Sequence, residues 1–213
     1  LGGILYQCIH SGFGLKTYQE ELTGPEYAER EIRTLQKTGV DVKLETLVLE
    51  IDANNNLTYT NKEEGYQTIS CQAILFSTGC IERTRYHIAI PGERPSGVLT
   101  AGLAQRYINI DGLSVGKNVF ILGSGDIGLI MARRLKLEGA NVIGVAEILP
   151  YSNGLSRNVV QCLHDFKIPL YLSHTVSNVY GKDRLTHIEL SRIDDNRQII
   201  ASSKQIIPCD TLL

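Results

Sequence analysis

The residues with the clearest chemical pattern are Gly123-Ser124-Gly125-Asp126-Ile127-Gly128, which read GxGxxG. They follow the apolar run Val119–Leu122 and precede a segment with helical spacing, the context in which this pattern has a mechanism. Gly123 allows a tight turn, Gly125 lets a pyrophosphate approach the backbone, and Gly128 lets the helix pack close to the strand. The free N–H groups and partial positive charge of the helix start favour phosphate. All six residues are therefore candidate dinucleotide-binding residues.

A carboxylate stands where the next strand should end. Glu147 follows the predicted strand Asn141–Ala146 and lies about twenty residues after Gly125, where an acidic residue accepts hydrogen bonds from adenosine ribose hydroxyls. It would repel a 2′-phosphate, and no Arg directly follows it. We therefore expect NAD(H) rather than NADP(H). The alternative is a Gly-rich turn that binds no ligand.

Composition excludes several function classes. The chain has 21 Lys and Arg residues and 23 Asp and Glu residues, which gives a net charge of −2. This charge argues against nonspecific electrostatic binding to nucleic acid or to an anionic membrane. No apolar run approaches the roughly 20 residues of a membrane span, and no secretion signal is visible. The five cysteines, without CxxC spacing, indicate neither a disulfide framework nor a metal site. We expect a reducing, cytoplasmic location.

The elements around the Gly-rich turn alternate between strand and helix. The predicted order is strand 118–122, helix 126–138, strand 141–146, helix 157–166 and strand 168–172, followed by β-runs at 175–180, 185–192 and 198–201 and a last strand from Cys209. Alternation of this kind implies right-handed crossovers and a parallel sheet. The preceding half predicts a helix from a Thr23–Glu26 capping box to Lys37, and β-runs at 40–44, 47–51, 57–60, 66–70 and 73–76. A short helix is predicted at 101–108.

The two halves resemble each other. Leu44–Ile51 parallels Leu172–Val179, and Ile69–Leu75 parallels Ile207–Leu213, so both halves contain a strand, a β-meander and a strand in that order. The chain opens on a glycine pair after Leu1 and stops within an apolar run, and from this we expect a fragment of a longer polypeptide. A dinucleotide turn equivalent to Gly123–Gly128 in the first half would lie before Leu1.

Four segments together resemble a known family. Gly2-Gly3-Ile4-Leu5-Tyr6-Gln7-Cys8-Ile9-His10, Thr23-Gly24-Pro25-Glu26-Tyr27, Phe76-Ser77-Thr78-Gly79 and the GSGDIG turn resemble FAD-dependent pyridine nucleotide-disulfide oxidoreductases, flavoproteins with two dinucleotide-binding domains. The nearer likeness is to the NAD(FAD)-dependent dehydrogenases associated with anaerobic glycerol-3-phosphate dehydrogenase and with amine- or cyanide-forming oxidase subunits. The resemblance implies an α/β fold: residues 1–98 as a truncated FAD-domain portion, and residues 99–213 as an NAD domain with a Rossmann-like parallel sheet and a β-meander.

The resemblance also suggests residues for the second cofactor. Thr78 and Gly79 would sit beside the FAD, and Gly2 and Gly3 would lie near its ribityl chain and pyrophosphate. Disulfide reductases carry a cysteine pair after the glycine pair, but only Cys8 is present here, so dithiol chemistry is not supported. Two interpretations of Cys8 and His10 remain. They are either loop residues without a chemical role or residues that take part in thiol or proton chemistry near a flavin. The sequence identifies no catalytic residue.

Two functions follow from this reading. In the first, the whole protein transfers hydride between NAD(H) and FAD and passes electrons to an unidentified substrate or partner, for which a second oxidoreductase subunit is one candidate. The cofactors then supply the chemistry and the protein supplies positioning. The fragment alone is expected to bind nucleotide and to turn over poorly or not at all. In the alternative, the chain is a non-catalytic NAD-binding module of a redox-sensing or electron-transfer subunit.

Overall fold

The computed structural model describes all residues, Leu1–Leu213, and these divide into two compact units. The first unit contains Leu1–Tyr6 and Ser11–Ile81, and the second contains Gln7–His10 and Glu82–Leu213. The predicted boundary between residues 98 and 99 falls inside the second unit. The preceding connector belongs there because its backbone is hydrogen-bonded to later strands: the N–H of Glu93 to Val179 O at 2.9 Å, and that of Ser96 to Asp183 O at 3.0 Å.

The first unit starts with a 3-10 turn, Gly3–Gln7, and two short antiparallel strands, β1 (Ser11–Phe13) and β2 (Leu22–Thr23). Helix α1 (Gly24–Gln36) follows, and its predicted capping box is confirmed. The hydroxyl of Thr23 accepts from the N–H of Glu26 at 3.4 Å, while the Glu26 carboxylate accepts from the N–H of Thr23 at 2.8 Å. Two helix-start donors are thereby paired by local sequence alone.

A three-stranded antiparallel meander completes the first unit. Its strands are β3 (Leu47–Ile51), β4 (Asn56–Asn61) and β5 (Gly65–Ser70). The predicted strands at 40–44 and 73–76 are wrong, since both segments are irregular. An apolar run forms a strand only beside another strand that pairs its backbone, and neither segment has such a partner in the structure. The Leu75 side chain is consequently 91% exposed.

The second unit is built on a parallel sheet. Helix α2 (Ala101–Asn109) precedes strand β6 (Asn118–Leu122), helix α3 (Asp126–Leu137) and strand β7 (Asn141–Glu147). Helix α4 (Ser156–Val159) continues as a π-helical turn, Val160–His164, and leads to β8 (Leu170–Leu172). The final strand, β12 (Thr211–Leu212), pairs parallel with β6 and gives the sheet order β12-β6-β7-β8. The predicted α/β class is confirmed.

A second meander lies between β8 and β12. Its strands are β9 (His174–Tyr180), β10 (His187–Arg192) and β11 (Gln205–Pro208), in the spatial order β11-β10-β9. The predicted strand at 198–201 forms only in part. The Asp194 carboxylate accepts from the N–H groups of Asn196 and Gln198 and holds a turn at 194–197. After this turn Ile199 makes an isolated antiparallel bridge with Ile193, and the next full strand starts later, at Gln205.

The parallel sheet separates two hydrophobic clusters. On β6, Val119 and Ile121 belong to the cluster under the helices, while Phe120 belongs to the cluster against the second meander. This alternation follows from the two-residue period of a strand and explains why β6 is apolar from Val119 to Leu122. The layers are therefore helices, parallel sheet and meander. No helix is long and apolar enough to cross a membrane.

Candidate functional site

The Gly-rich turn connects β6 to α3, as its sequence context predicts. Gly123 has φ +111°, a backbone conformation that residues with a Cβ atom rarely adopt. A Cβ on Gly128 would lie 2.3 Å from the carbonyl oxygen of Gly123, so Gly128 permits the close approach of helix and strand. The fold therefore favours glycine at positions 123 and 128 whether or not a ligand binds.

Gly125 differs from its neighbours. It stands at the start of α3 with an ordinary backbone conformation, φ −66° and ψ 166°, and a Cβ built on it would meet nothing within 4 Å. Neither backbone strain nor a steric clash therefore requires glycine at this position, although glycine is also an accepted N-cap residue. The absence of a side chain instead keeps open the space beside the helix start, where a pyrophosphate would approach the backbone.

The start of α3 also lacks a side-chain cap. Thr23 caps α1 and Thr100 caps α2, but no side chain bonds the first N–H groups of α3. A helix leaves its first N–H groups without partners inside the helix, and side chains, water or ligands satisfy them. Of these three helices, α3 therefore leaves its first N–H groups to water or to a bound anion; the four-residue helix α4 also has no side-chain cap.

A cleft of about 490 Å³ opens at this helix start. It is lined by Gly123, Gly125 and Gly128 of the turn, by Arg83 and Arg85 of the connector, and by residues 98–101. The guanidinium of Arg85 is engaged within the protein, donating to the carbonyls of residues 90 and 91 at 3.1 Å each. The cleft therefore combines backbone donors, two cationic side chains, the two acidic residues Glu82 and Asp126, and an apolar wall.

Glu147 is the last residue of β7 and lies beside the Gly-rich turn, but its carboxylate makes contacts within the protein that the sequence did not predict. Its carboxylate is buried and accepts from the N–H of Ser124 at 3.0 Å, from the Ser124 hydroxyl at 2.6 Å and from the N–H of Leu149 at 3.0 Å. A carboxylate offers about four lone-pair positions, so three are used by the protein itself. Glu147 holds the turn in place, and its hydrogen bond to a ribose stays a prediction.

The loop after β7 is tied to the same turn. The Asp126 carboxylate accepts from the N–H of Leu155 at 2.8 Å and from the Asn158 side-chain amide at 2.7 Å. The hydroxyl of Ser152 donates to the carbonyl of Ser124 at 3.1 Å. Ser124 and Asp126, predicted from the motif alone, thus act here as anchors for the neighbouring loop, a role that the motif did not reveal.

The other predicted cofactor residues lie in the first unit. Gly2 has φ +80°, and a Cβ there would lie 2.2 Å from the Tyr6 ring, which is a packing reason for glycine. Gly3 and Gly79 also have positive φ, with open space where a Cβ would be, and Thr78 is exposed. A place for these four residues beside FAD stays a prediction.

Cys8 belongs to the second unit, where its thiol donates to Gln105 Oε1 at 3.9 Å. Burial raises the pKa of the Cys8 thiol, which disfavours the reactive thiolate. His10, two residues further along the chain, lines a cavity between α2 and α3. Sequence reasoning did not single out Gln105, because one glutamine in an amphipathic helix carries no signal of being fully buried.

Comparison with known proteins gives a consistent picture. The family model described as pyridine nucleotide-disulphide oxidoreductase matches residues 30–213. The chain is 27% identical over 153 residues to the hydrogen cyanide synthase subunit HcnB of Pseudomonas protegens, covering 69% of this chain and 31% of that protein. The residues matched by the family model include the Gly-rich turn and all of Glu82–Leu213.

Solved structures share the fold. The thioredoxin reductase of T. acidophilum superposes with a TM-score of 0.67 at 14% identity, over 100% of this chain and 64% of that one. An FAD-dependent pyridine nucleotide-disulphide oxidoreductase from Desulfovibrio vulgaris gives 0.53 at 20% identity, over 89% of this chain and 49% of that one. The chain therefore spans between 31% and 64% of the length of these three proteins.

Proposed function

Because the chain belongs to the pyridine nucleotide-disulphide oxidoreductase family, we propose that its second unit binds NAD(H) at the Gly123–Gly128 turn. The natural polypeptide that carries the chain is, in this proposal, a flavoprotein oxidoreductase that moves electrons between NAD(H) and FAD. The observation that carries the proposal is the start of α3, which has no side-chain cap and opens onto a cleft at Gly125.

The residues present fit a bound pyrophosphate. Gly125 lets the phosphate oxygens reach the first N–H groups of α3, and these donors need no rearrangement because the turn is held by Glu147 and Asp126. The Arg83 side chain lines the same cleft and adds positive charge. A helix N-terminus with nearby cations attracts an anion through both hydrogen bonds and electrostatics.

Nucleotide preference in this proposal rests on Glu147. Three of its lone-pair positions are occupied by protein donors, which leaves about one for a ribose hydroxyl. Its negative charge at the end of β7 opposes a 2′-phosphate whether or not it contacts the ribose directly. NAD(H) is therefore favoured over NADP(H).

The first unit, in the same proposal, is part of an FAD-binding domain, with residues 1–98 assigned to it and residues 99–213 to the NAD domain. The assignment rests on the family and on the two similar meanders, β3–β5 and β9–β11. Gly2, Gly3, Thr78 and Gly79 would contact the flavin nucleotide. When bound, the two cofactors supply two-electron redox chemistry, and this chain's residues bind and orient them.

The electron partner is proposed from similarity alone. The relative HcnB is by its name a subunit of a larger enzyme, which favours a second oxidoreductase subunit as partner. This proposal is tested by purifying the natural polypeptide and adding NADH without oxygen. Bleaching of a bound flavin by NADH, lost in Gly125→Val, supports the oxidoreductase. NADH binding by a protein that holds no flavin supports the non-catalytic module instead.

A further inference from the structure

The nucleotide cleft contains two acidic residues, although the ligand proposed for it carries a negatively charged pyrophosphate. Both Glu82 and Asp126 line the cleft. The Asp126 carboxylate is used within the protein, where it accepts from the N–H of Leu155 and from the Asn158 amide. Glu82 makes no contact of this kind with the loop after β7. Because a negative charge opposes pyrophosphate binding, we expect Glu82 to serve another part of the ligand.

The Glu82 carboxylate is held in place by the start of α2. Its Oε1 accepts from the N–H of Gly102 at 2.7 Å. Gly102 is buried, and a Cβ built on it would lie 2.5 Å from Glu82 Oε2. Glycine at position 102 therefore leaves the space that the carboxylate occupies. The backbone of α2 thus fixes where both carboxylate oxygens of Glu82 lie.

The second oxygen of this carboxylate is available to a ligand. Glu82 Oε2 accepts no hydrogen bond from the protein, Glu82 forms no ion pair, and the residue is exposed. A carboxylate offers about four lone-pair positions, and the protein uses one of them here, in contrast to the three that it uses on Glu147. The cleft therefore presents a positioned acceptor that water or a bound molecule can reach.

The lining of the cleft indicates which half of the dinucleotide reaches Glu82. The cleft extends from the Gly-rich turn to residues 98–101 and the connector, and Glu147 is not among its lining residues. In the proposed site, Glu147 lies on the adenosine side of the pyrophosphate. The other nucleoside, which carries the nicotinamide, leaves the pyrophosphate at its opposite end. The cleft on the side of Glu82 is therefore the space for the nicotinamide half.

We propose that Glu82 binds the carboxamide of the nicotinamide, with Oε2 accepting from the carboxamide N–H. The inference rests on the proposed NAD(H) site and adds to it the residue that distinguishes the carboxamide from other substituents on the ring. A hydrogen bond to a charged acceptor is stronger than one between neutral groups. The apolar side chains of Ile88 and Ile90 line the same cleft and provide a surface for the ring.

The test is a calorimetric titration of the full chain with three ligands. NADH has the carboxamide, and reduced 3-acetylpyridine adenine dinucleotide has a methyl group in place of the carboxamide nitrogen but keeps the ring and the carbonyl. ADP-ribose lacks the ring and reports binding of the shared adenosine and pyrophosphate. We expect NADH to bind about tenfold more tightly than the acetylpyridine analogue, because the analogue lacks the N–H donor.

Two variants assign the preference to Glu82. Glu82→Ala removes the acceptor, so NADH and the analogue should bind alike. Gly102→Ala should reduce the preference in the same direction, because its Cβ displaces the end of the flexible Glu82 side chain and leaves the helix intact. Glu63→Ala, which removes an exposed carboxylate from the first unit, is the matched control and should keep the tenfold preference. The ratio of the two dissociation constants is the readout, since a general effect of charge on dinucleotide binding cancels in it.

The inference is overturned if the unaltered chain binds ADP-ribose but binds NADH and the analogue equally, a result that leaves the nucleotide site itself in place. It is also overturned if a folded Glu82→Ala keeps the tenfold preference, since another group would then bind the carboxamide. Binding of none of the three ligands by the unaltered chain would contradict the proposed nucleotide site, and the role of Glu82 would fall with it.

Discussion

The carboxylate of Glu147 accepts hydrogen bonds from both the backbone N–H and the hydroxyl of Ser124, at 3.0 and 2.6 Å. The residue at the end of β7 is thereby joined to the middle of the Gly-rich turn, at a position where both groups are buried. Glu147 thus has a structural role that is separate from any contact with nucleotide. The structural role and the proposed role in nucleotide preference can be distinguished by experiment.

Ser124→Ala removes the hydroxyl donor but keeps the backbone donor to Glu147. Because a hydrogen bond to a charged group is lost, the free energy of unfolding should fall by about 1.5–3 kcal/mol. NADH and NADPH binding should weaken by similar factors, so that the preference between them stays. Thermal unfolding and parallel titrations measure both, and a changed preference would show that Ser124 itself reads the ribose.

Glu147→Gln should behave differently from Ser124→Ala. It removes the negative charge that opposes a 2′-phosphate, so the preference for NADH over NADPH should shrink by about tenfold or more, with some loss of stability from the broken pairing. The ratio of the two dissociation constants is the readout. An unchanged ratio would mean that Glu147 only positions the turn.

Gly128→Ala tests the packing of helix against strand. The added Cβ would lie 2.3 Å from the Gly123 carbonyl oxygen, so β6 and α3 must move apart. Overpacking of this kind costs about 1–3 kcal/mol or more, and we expect a melting temperature several degrees lower. An unaltered melting temperature would contradict the close approach seen in the structure.

The five cysteines should differ sharply in reactivity. Cys80 is exposed and Cys71 half-buried, whereas Cys8, Cys162 and Cys209 are buried. Burial raises the pKa of Cys209 to about 12, so its thiolate is scarce at neutral pH and increases only as the pH approaches that value. Brief alkylation of the native chain, read by peptide mass spectrometry, should label Cys80 first. Early labelling of Cys209 would contradict its burial.

The two units should resist proteolysis unequally. The buried hydrophobic side chains of the first unit are Leu22, Ala28 and Tyr59, while the second unit has two clusters on either side of its sheet. Segments that bury little apolar surface open easily. Limited proteolysis of the intact chain should therefore cut the first unit early and leave a resistant fragment near 82–213. First cuts within β6, α3 or β7 would contradict this expectation.

Local patterns predicted the parts of the fold that local sequence determines. The Thr23–Glu26 capping box and the strand-turn-helix around Gly125 are confirmed because each depends on neighbours in sequence. The apolar segments 40–44 and 73–76 failed because strands need pairing partners, and periodicity does not say whether a partner is present. The strand at Gln205 was missed because its place beside β10 is set by tertiary pairing, while the predicted segment 198–201 forms only an isolated bridge after the Asp194 turn.

The candidate site was predictable only in part. The glycine spacing and the distance to Glu147 indicate which residues meet, because both lie at carboxyl ends of adjacent parallel strands. The pairing of Glu147 with Ser124, and the burial of Gln105 beside Gln7, depend on tertiary packing between distant segments. Neither leaves a periodic or spaced signal in the sequence.

The most direct test of nucleotide binding is a fluorescence titration of this chain with NADH, beside Gly125→Val. The backbone at Gly125 suits any residue and a Cβ there meets no atom within 4 Å, so the loss of stability should be about 1 kcal/mol, the cost of a poorer N-cap residue. The proposal predicts saturable NADH binding by the unaltered chain and at least about tenfold weaker binding by a folded Gly125→Val. Equal binding by both chains, or none by the unaltered chain, would contradict it.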